Sequence, residues 1–525
     1  SAASRRVHQF TSQEMGNTVW AFAKLAFCEE ALLNSIADQA MDRISDFNSQ
    51  ELSNTAFSFA TLSINHPPLM AKIAVVAREK VLEGKSDNQM LSNTAWAFAK
   101  LQVSDEPLFQ TISAAAIKSS RNFVPQGLSN LAWAMATTLK KDEALLAAIR
   151  EQSQAKLPIL NTQDLANTLW AWAKLEKFDS EFFSQLSSAA QHLLPNFNPQ
   201  SLANSAWAFA SLLILDKPFL RSIGEAARLS IADFNVQALS NITWSFARLD
   251  ILDDKLFSAV ASEALRKVPQ FDAQAVSNMS WSFARLDLWN DPLSRALSAA
   301  AVAKQAELTT QEISNLAWAQ ARIYCVDMNL CNALADRAIL RAPNLNKQEL
   351  SVLAWAFATM AHVHRPLLHA LADQIEQRID ELGPLEVANS TWAFAKVAFS
   401  HEPVLAALAT ASEATVWPKG PDSNDSEKND SMAPNGVYSV VWSAWRTTQP
   451  ILARTMAQRS LVSVDRGAGG SEADRLSTLM EPLVEGVLIM DNEWSRGDPW
   501  GHQTRIRANA SSDATLRPVE PEATW

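Results

Sequence analysis

Apolar and polar positions along this chain recur with a period of 37 residues. The most visible marker is an Asn, two further residues and a Trp, usually followed by Ala-Phe-Ala. The Trp positions are Trp20, Trp96, Trp133, Trp170, Trp207, Trp244, Trp281, Trp318, Trp355 and Trp392, with Phe57 in the one remaining slot. From Trp96 onward every step is 37 residues, and the two steps through Phe57 are 37 and 39. Counted from the Trp as zero, Leu or Val mostly fills position −5, Phe mostly +2, Ala +3 and Leu mostly +5. At 100° per residue these spread over the apolar side of a helix, and the adjoining Trp is expected in the core with them. A fixed period of this length means a stack of supersecondary units, none of which can bury its apolar face alone.

Start signals sharpen the unit. Nine residues before the Trp stand Thr11, Asn48, Asp87, Asn161, Asn198, Asn235, Asp272, Thr309 and Asn346, all N-cap residue types. Glu14, Glu51, Glu312 and Glu349 follow three residues later and complete capping boxes. The first helix then runs about 14 residues, from Asn198 through Trp207 to Leu212 in the reference repeat. Pro68, Pro107, Pro218, Pro292, Pro366 and Pro403 lie eleven residues past the anchor and mark the first position of a second helix, Phe219 to Ala232 in the reference. Each repeat is a helical hairpin, and the expected fold is all-α: an α-solenoid of eleven hairpins over residues 1–417.

Past residue 409 the pattern breaks. Pro418 to Pro434 is polar and reads as a disordered insertion, spanning 418–436. Residues 437–489 hold a degenerate capping repeat, with Trp442 standing 50 residues past Trp392, and one amphipathic helix at 471–489. Residues 490–525 read as a disordered tail.

Composition supports helices, with 13 Gly against abundant Ala, Leu and Ser. Net charge is −11, and residues 1–409 hold 34 basic and 40 acidic side chains, so no bulk basic charge advertises a nucleic-acid partner. Local clustering has to carry any such reading. Cys28, Cys325 and Cys331 make no disulfide framework, which fits a reducing compartment. No run of 18 apolar residues exists to span a membrane. The acid-free start, Ser1 to Arg6, has the composition of a transit peptide but is too short to decide.

Four positions of the first helix, −7, −3, +1 and +4, cluster within about 80° of arc. Position −7 is Gln in ten of eleven repeats, with Leu385 the exception. Position −3 is Asn17, Asn54, Asn93, Asn130, Asn167, Asn204, Asn241, Asn278, Asn315 and Asn389, with Val352 the exception. Position +1 is Ala or Ser. Position +4 is a cation in seven repeats (Lys24, Lys100, Lys174, Arg248, Arg285, Arg322, Lys396), Ser or Thr in the rest and never acidic. In a chain with more acids than bases, that exclusion points to an anionic partner, and cations at regular intervals suit a single strand. The plain alternative is an Asn ladder that bonds neighbouring hairpins and a solvated row of cations. An invariant rung encodes no sequence, so selectivity is expected at the variable positions −6 and −2.

The phrase Leu-Ala-Asn-Ser-Ala-Trp-Ala-Phe-Ala at 202–210, and its copies over residues 1–409, resembles the octotricopeptide and heptatricopeptide repeats of organellar RNA-binding proteins. The 37-residue spacing is closer to the heptatricopeptide form. The resemblance implies an α-solenoid gripping single-stranded RNA, about one base per repeat, in a mitochondrion or plastid, and supporting RNA stability, processing, translation or ribosome assembly. Residues 437–525 show no convincing match to the RAP-type domain that ends many such proteins. Tetratricopeptide repeats fit less well, since their 34-residue period and Trp-Leu-Gly signature are missing.

No catalytic arrangement, phosphate loop or metal-ligand spacing is present, and His362, His364 and His369 lack a Cys or carboxylate partner at ligand spacing. The expected protein is a non-enzyme with no cofactor and no small-molecule substrate, binding RNA and possible protein partners. The alternative is a scaffold of armadillo or HEAT type, holding an extended peptide along the Asn ladder.

Overall fold

The computed structural model describes the backbone of residues 4–323 and 326–416, and the side chains of 6–323 and 326–412. These residues form 22 α-helices and no strand, and consecutive helices pack as a solenoid. The first helices of the eleven hairpins are α1 (Ser12–Lys24), α3 (Ser49–Thr61), α5 (Asn88–Lys100), α7 (Pro125–Thr137), α9 (Thr162–Lys174), α11 (Pro199–Ser211), α13 (Val236–Arg248), α15 (Ala273–Arg285), α17 (Thr310–Arg322), α19 (Lys347–Thr359) and α21 (Pro384–Lys396). The second helices are α2 (Glu30–Asp42), α4 (Pro67–Leu82), α6 (Glu106–Lys118), α8 (Glu143–Ala155), α10 (Ser180–Gln191), α12 (Lys217–Leu229), α14 (Asp254–Lys267), α16 (Asp291–Ala303), α18 (Met328–Arg341), α20 (Arg365–Gln377) and α22 (Glu402–Val416).

The chain divides into two compact units, residues 1–337 and 338–525. In the first unit, α1 to α17 form a row in which each first helix packs on the next, and the second helices form a looser row behind them. In the second unit α19 packs on α21, and α20 and α21 pack on α22. The disordered insertion, the degenerate repeat and the tail expected beyond residue 417 lie outside the described residues.

Every N-cap named from the sequence accepts a hydrogen bond from the first turn of its helix. All four expected capping boxes form, and Asn161 with Asp164 makes a fifth. The first helix ends in one way in all ten repeats whose +6 residue is described. The residue at +6 takes a left-handed conformation, with φ between 48 and 58° at Ala26, Ser63, Gln102, Leu139, Glu176, Leu213, Asp250, Asp287, Ala361 and Ala398. The N–H at +7 then reaches the carbonyl at +2, as from Ile214 to Phe209 (2.9 Å) and Ile251 to Phe246 (2.9 Å). This is a Schellman turn made without its usual Gly.

The second helix begins at +10, with its cap at +9. Asp105, Asp142, Asp179, Asp216 and Asp253 cap their helices, and His66, His364 and His401 do the same through Nδ1. The marker prolines therefore occupy the second helical position rather than the first, still within the turn whose N–H groups need no partner. The reference second helix stops at Leu229, short of the expected Ala232. A 3-10 turn, Ile231–Asp233, takes over, and most repeats carry the same device.

That turn drops an apolar residue at −10 into the core. The position holds Phe or Leu in ten repeats and Ser86 in the other, and Phe47, Phe123, Phe234 and Phe271 are fully buried there. With the equally buried −5 position it occupies the places of a hydrophobic staple. The +2 position supplies the core of each hairpin, with Phe59, Phe98, Phe209, Phe246 and Phe357 at 0% exposure. Each such ring contributes about 2–3 kcal/mol by leaving water.

Candidate functional site

The first-helix wheel separates cleanly once burial is known. Position −7 is exposed in nine of its ten Gln residues, Gln348 being half-buried. Position −3 is exposed at Asn17, half-buried at Asn54, Asn93, Asn167, Asn204, Asn241 and Asn278, and buried at Asn130, Asn315 and Asn389. Lys24, Lys100, Lys174 and Lys396 at +4 are exposed, while Arg248, Arg285 and Arg322 are half-buried. In the first unit the packing of neighbouring first helices sets these residues along one side of the row. In the second unit α21 carries Asn389 and Lys396, and α19 has Val352 and Thr359 in their places.

Two expectations change. Position +1 does not belong to the open arc: from Ser58 to Ala393 it is buried, and its small side chains fit where first helices meet. Ser58, Ser245 and Ser282 satisfy their hydroxyls on their own helix, at the carbonyls of Asn54, Asn241 and Asn278. The Trp, expected in the core, is instead mostly on the open arc. Trp96, Trp133, Trp170, Trp207 and Trp244 are half-buried and Trp20 is 45% exposed, whereas Trp281 and Trp318 are buried.

These rings form a ladder of their own. Phe57 and Trp96 have centroids 4.6 Å apart, and the steps to Trp133, Trp170 and Trp207 are 5.8, 6.1 and 6.3 Å. Trp281 and Trp318 continue the pattern at 6.1 Å. The sequence held the signal: an invariant aromatic three residues after an invariant Asn shares its helical face. Three +4 cations rest against their own ring, Lys24 on Trp20 (5.6 Å), Arg248 on Trp244 (5.7 Å) and Lys396 on Trp392 (5.8 Å). Arg322 pairs with Asp287 of the preceding repeat at 3.0 Å. Lys100 and Lys174 form no ion pair with a described residue.

The variable positions expected to read sequence are closed. Position −2 is buried from Thr55 to Ser390. Position −6 is the third residue of the helix and serves the cap or is packed away, as with Met90, Asp164, Ser201, Ala238, Ala275 and Glu349. Ser129 of the preceding repeat donates to Asp164 at 3.0 Å, and burial raises that carboxyl above its ordinary value.

The groups that could carry other chemistry are spent on structure. His66 and His364 are caps, and burial followed by the nearby His364 lowers the His362 imidazole. Burial pushes the Cys331 thiol up to about 11. No cluster of three metal-ligating side chains occurs among the described residues, and no described helix is long and apolar enough to cross a membrane.

Residues 1–180 and 196–416 match the model of the RNA-editing substrate-binding complex 6 protein. The chain belongs to that family. The family match spans the repeats except for 181–195, which holds most of α10, and stops with α22, where the repeat pattern also stops. No curated protein sequence matches this member. Among solved structures, a chain of a homology model of the full-length AP-3 complex in an intermediate open conformation is 12% identical. It covers 88% of this family member and 86% of its own length, at a TM-score of 0.31, too low to carry any argument.

Proposed function

We propose that the chain binds single-stranded RNA along the first-helix face, as a non-catalytic component of an RNA-editing substrate-binding assembly. The observation that carries the reading is the composition of that face. Amides, half-open aromatic rings and a never-acidic +4 position recur on helix after helix in a chain whose net charge is negative. Cations meet phosphates, while indole edges and amides offer stacking and hydrogen bonding that every base accepts. With −2 buried from Thr55 to Ser390 and −6 mostly buried or spent on caps, contacts independent of base identity are favoured, so selectivity has to arise from departures from the repeat. Family membership supports an RNA-associated role, and the organellar setting of RNA editing is in keeping with a mitochondrion; the family match adds no support for a plastid. The octotricopeptide and heptatricopeptide kinship stays a proposal resting on the repeat phrase.

The test is RNA affinity against salt. Six phosphate-facing cations of the first unit give a slope of log K on log [salt] near −4, from roughly −0.7 per contact on a single strand. Changing Arg248, Arg285 and Arg322 together to Ala should flatten the slope by about 2 and weaken all RNAs alike. Tight binding with neither change would remove these cations from the mechanism. A folded protein that retains no RNA would favour the peptide scaffold.

A further inference from the structure

The repeat is broken in one place, and the departures converge on one groove. The step from Phe57 to Trp96 is 39 residues, and the link after α4 passes through Gly84 at φ +70° without the usual 3-10 turn. Ser86 stands where other repeats bury Phe or Leu at −10, leaving space beside the start of α5. One repeat later, the cap position of α7 holds Val124, a residue unable to cap, and no side chain caps the helix. Gly127 holds its −6 position, where five repeats carry Glu, and a Cβ there would stand 2.9 Å from Phe123 Cδ1. Among the first helices only α7 lacks both a capping side chain and an acid in its first turn. A groove of about 850 Å³ lies here, lined also by Trp20, Phe57 and Lys24.

A helix N-terminus open to solvent is weak evidence alone, but a second observation points the same way. Asn130 lines this groove, is 6% exposed, and makes no side-chain hydrogen bond with a described residue. What remains exposed of Asn130 includes its amide, which is open to the groove and to any ligand there. The one acid of the groove, Asp87, is committed to the Met90 N–H at 2.7 Å.

We propose that this groove binds one nucleotide, its phosphate at the uncapped N-terminus of α7 and its base among the amide of Asn130 and the rings of Trp20 and Phe57. Helix N-termini favour phosphate through their N–H groups and the helix dipole; here Pro125 has no N–H and Gly127 N–H bonds the Val124 carbonyl at 2.9 Å, which leaves the Gln126 N–H and the dipole to meet the phosphate. The assignment rests on the RNA reading above and adds to it: elsewhere each rung is like the next, so a strand can dock in any register. The groove supplies the single position that pins it.

The full chain is titrated calorimetrically with UMP, AMP, uridine and inorganic phosphate, and a labelled 12-nucleotide RNA is followed by anisotropy. Nucleotides should bind more tightly than either uridine or phosphate. Val124→Asn installs the cap used by five other repeats, so it should leave melting unlowered while weakening the nucleotides about tenfold, the worth of one charge-assisted contact. Asn130→Ala should weaken nucleotides and leave phosphate unchanged. Phosphate bound as well as nucleotide, or nucleotide affinity untouched by both variants, overturns the site even if RNA still binds. Nucleotide binding lost in Val124→Asn, in a protein that never retains the 12-mer, supports the groove and removes the ladder.

Discussion

The Ser187 hydroxyl, on α10, donates to Asp216 Oδ2 at 2.8 Å, across the boundary between two repeats. Asp216 Oδ1 meanwhile accepts from the Phe219 N–H at 3.1 Å and caps α12. One carboxylate thus starts its own helix and ties it to the hairpin before. Ser113 with Asp142, and Arg150 with Asp179, repeat the link at the same separation of 29 residues. Asp216→Ala should cost about 1–2 kcal/mol, since it removes a cap and an inter-repeat acceptor, while the Ser187 hydroxyl keeps the Ser184 carbonyl at 3.0 Å. In a double-mutant cycle with Ser187→Ala the pair should couple by about 0.5–1.5 kcal/mol. Additive losses in the denaturation midpoint would show that the two residues merely lie near each other.

The adjacent aromatics Trp244 and Phe246 should separate in stability. Phe246 is fully buried at +2 and Trp244 is half-open at zero. Phe246→Ala is expected to cost about 3–5 kcal/mol, the range for a buried aromatic, and Trp244→Ala less than half of that. Equal losses on urea unfolding would put the Trp back in the core.

Asp250 adopts φ 56° at the end of α13, where an L side chain is held in a disfavoured conformation. Its side chain is exposed and forms no ion pair with a described residue. Asp250→Gly should stabilise the protein by about 0.5–1 kcal/mol, seen as a raised melting temperature. A lowered melting temperature would mean that the Asp side chain has a contact worth more than the strain.

Burial raises the Asp164 carboxyl from its ordinary 3.8, against the opposing hydrogen bonds from Asn161 and Ser129. The folded state then keeps this proton to a higher pH than the unfolded chain does. Stability associated with the group is therefore greatest at acid pH and falls as pH rises from about 3.8 through the folded value. Asp164→Asn cannot ionise, so its stability relative to the native protein should improve between pH 3.5 and pH 7. A difference independent of pH would remove the titration from the account.

Cys28 is exposed and Cys331 is buried with its thiol raised to about 11. Because the thiolate is the reacting species, alkylation at pH 8 should label Cys28 in the native protein and spare Cys331 until denaturant is added. Early labelling of Cys331, located by peptide mass spectrometry, would show that α18 opens readily.

The helices were legible because their signals are local: caps such as Asn198 and Thr309, and Phe and Leu at helical spacing. The Schellman turn was not, because no Gly marks +6; Leu139 and Glu176 take that conformation only because the turn's hydrogen bonds and the packed hairpin hold them there. The 3-10 turn and the buried −10 residue were likewise missed, since three residues carry too little periodicity to stand out. On the candidate face, the Gln positions read from a helical wheel are open apart from Gln348 and the cation positions open or half-buried, while all the Asn but Asn17 are half-buried or buried. The wheel misplaced Trp and position +1 because it knows hydrophobicity and not the direction of the neighbouring helix. The His caps on second helices went unread for a different reason: imidazole is uncommon in that role, and only Nδ1 facing the turn reveals it.

Within the first unit, neighbouring first helices pack in the same way from α1 to α17, and at three boundaries a side chain ties one hairpin to the next across 29 residues. A cut of 37 residues between two ordinary rungs would bring together surfaces of the same kind as those removed. The protein is in this sense a ruler, which can be lengthened or shortened by whole divisions without redrawing any of them. Only the 39-residue step, with Ser86 before it and Val124 beyond, resists such editing, and it marks the end from which the divisions are counted.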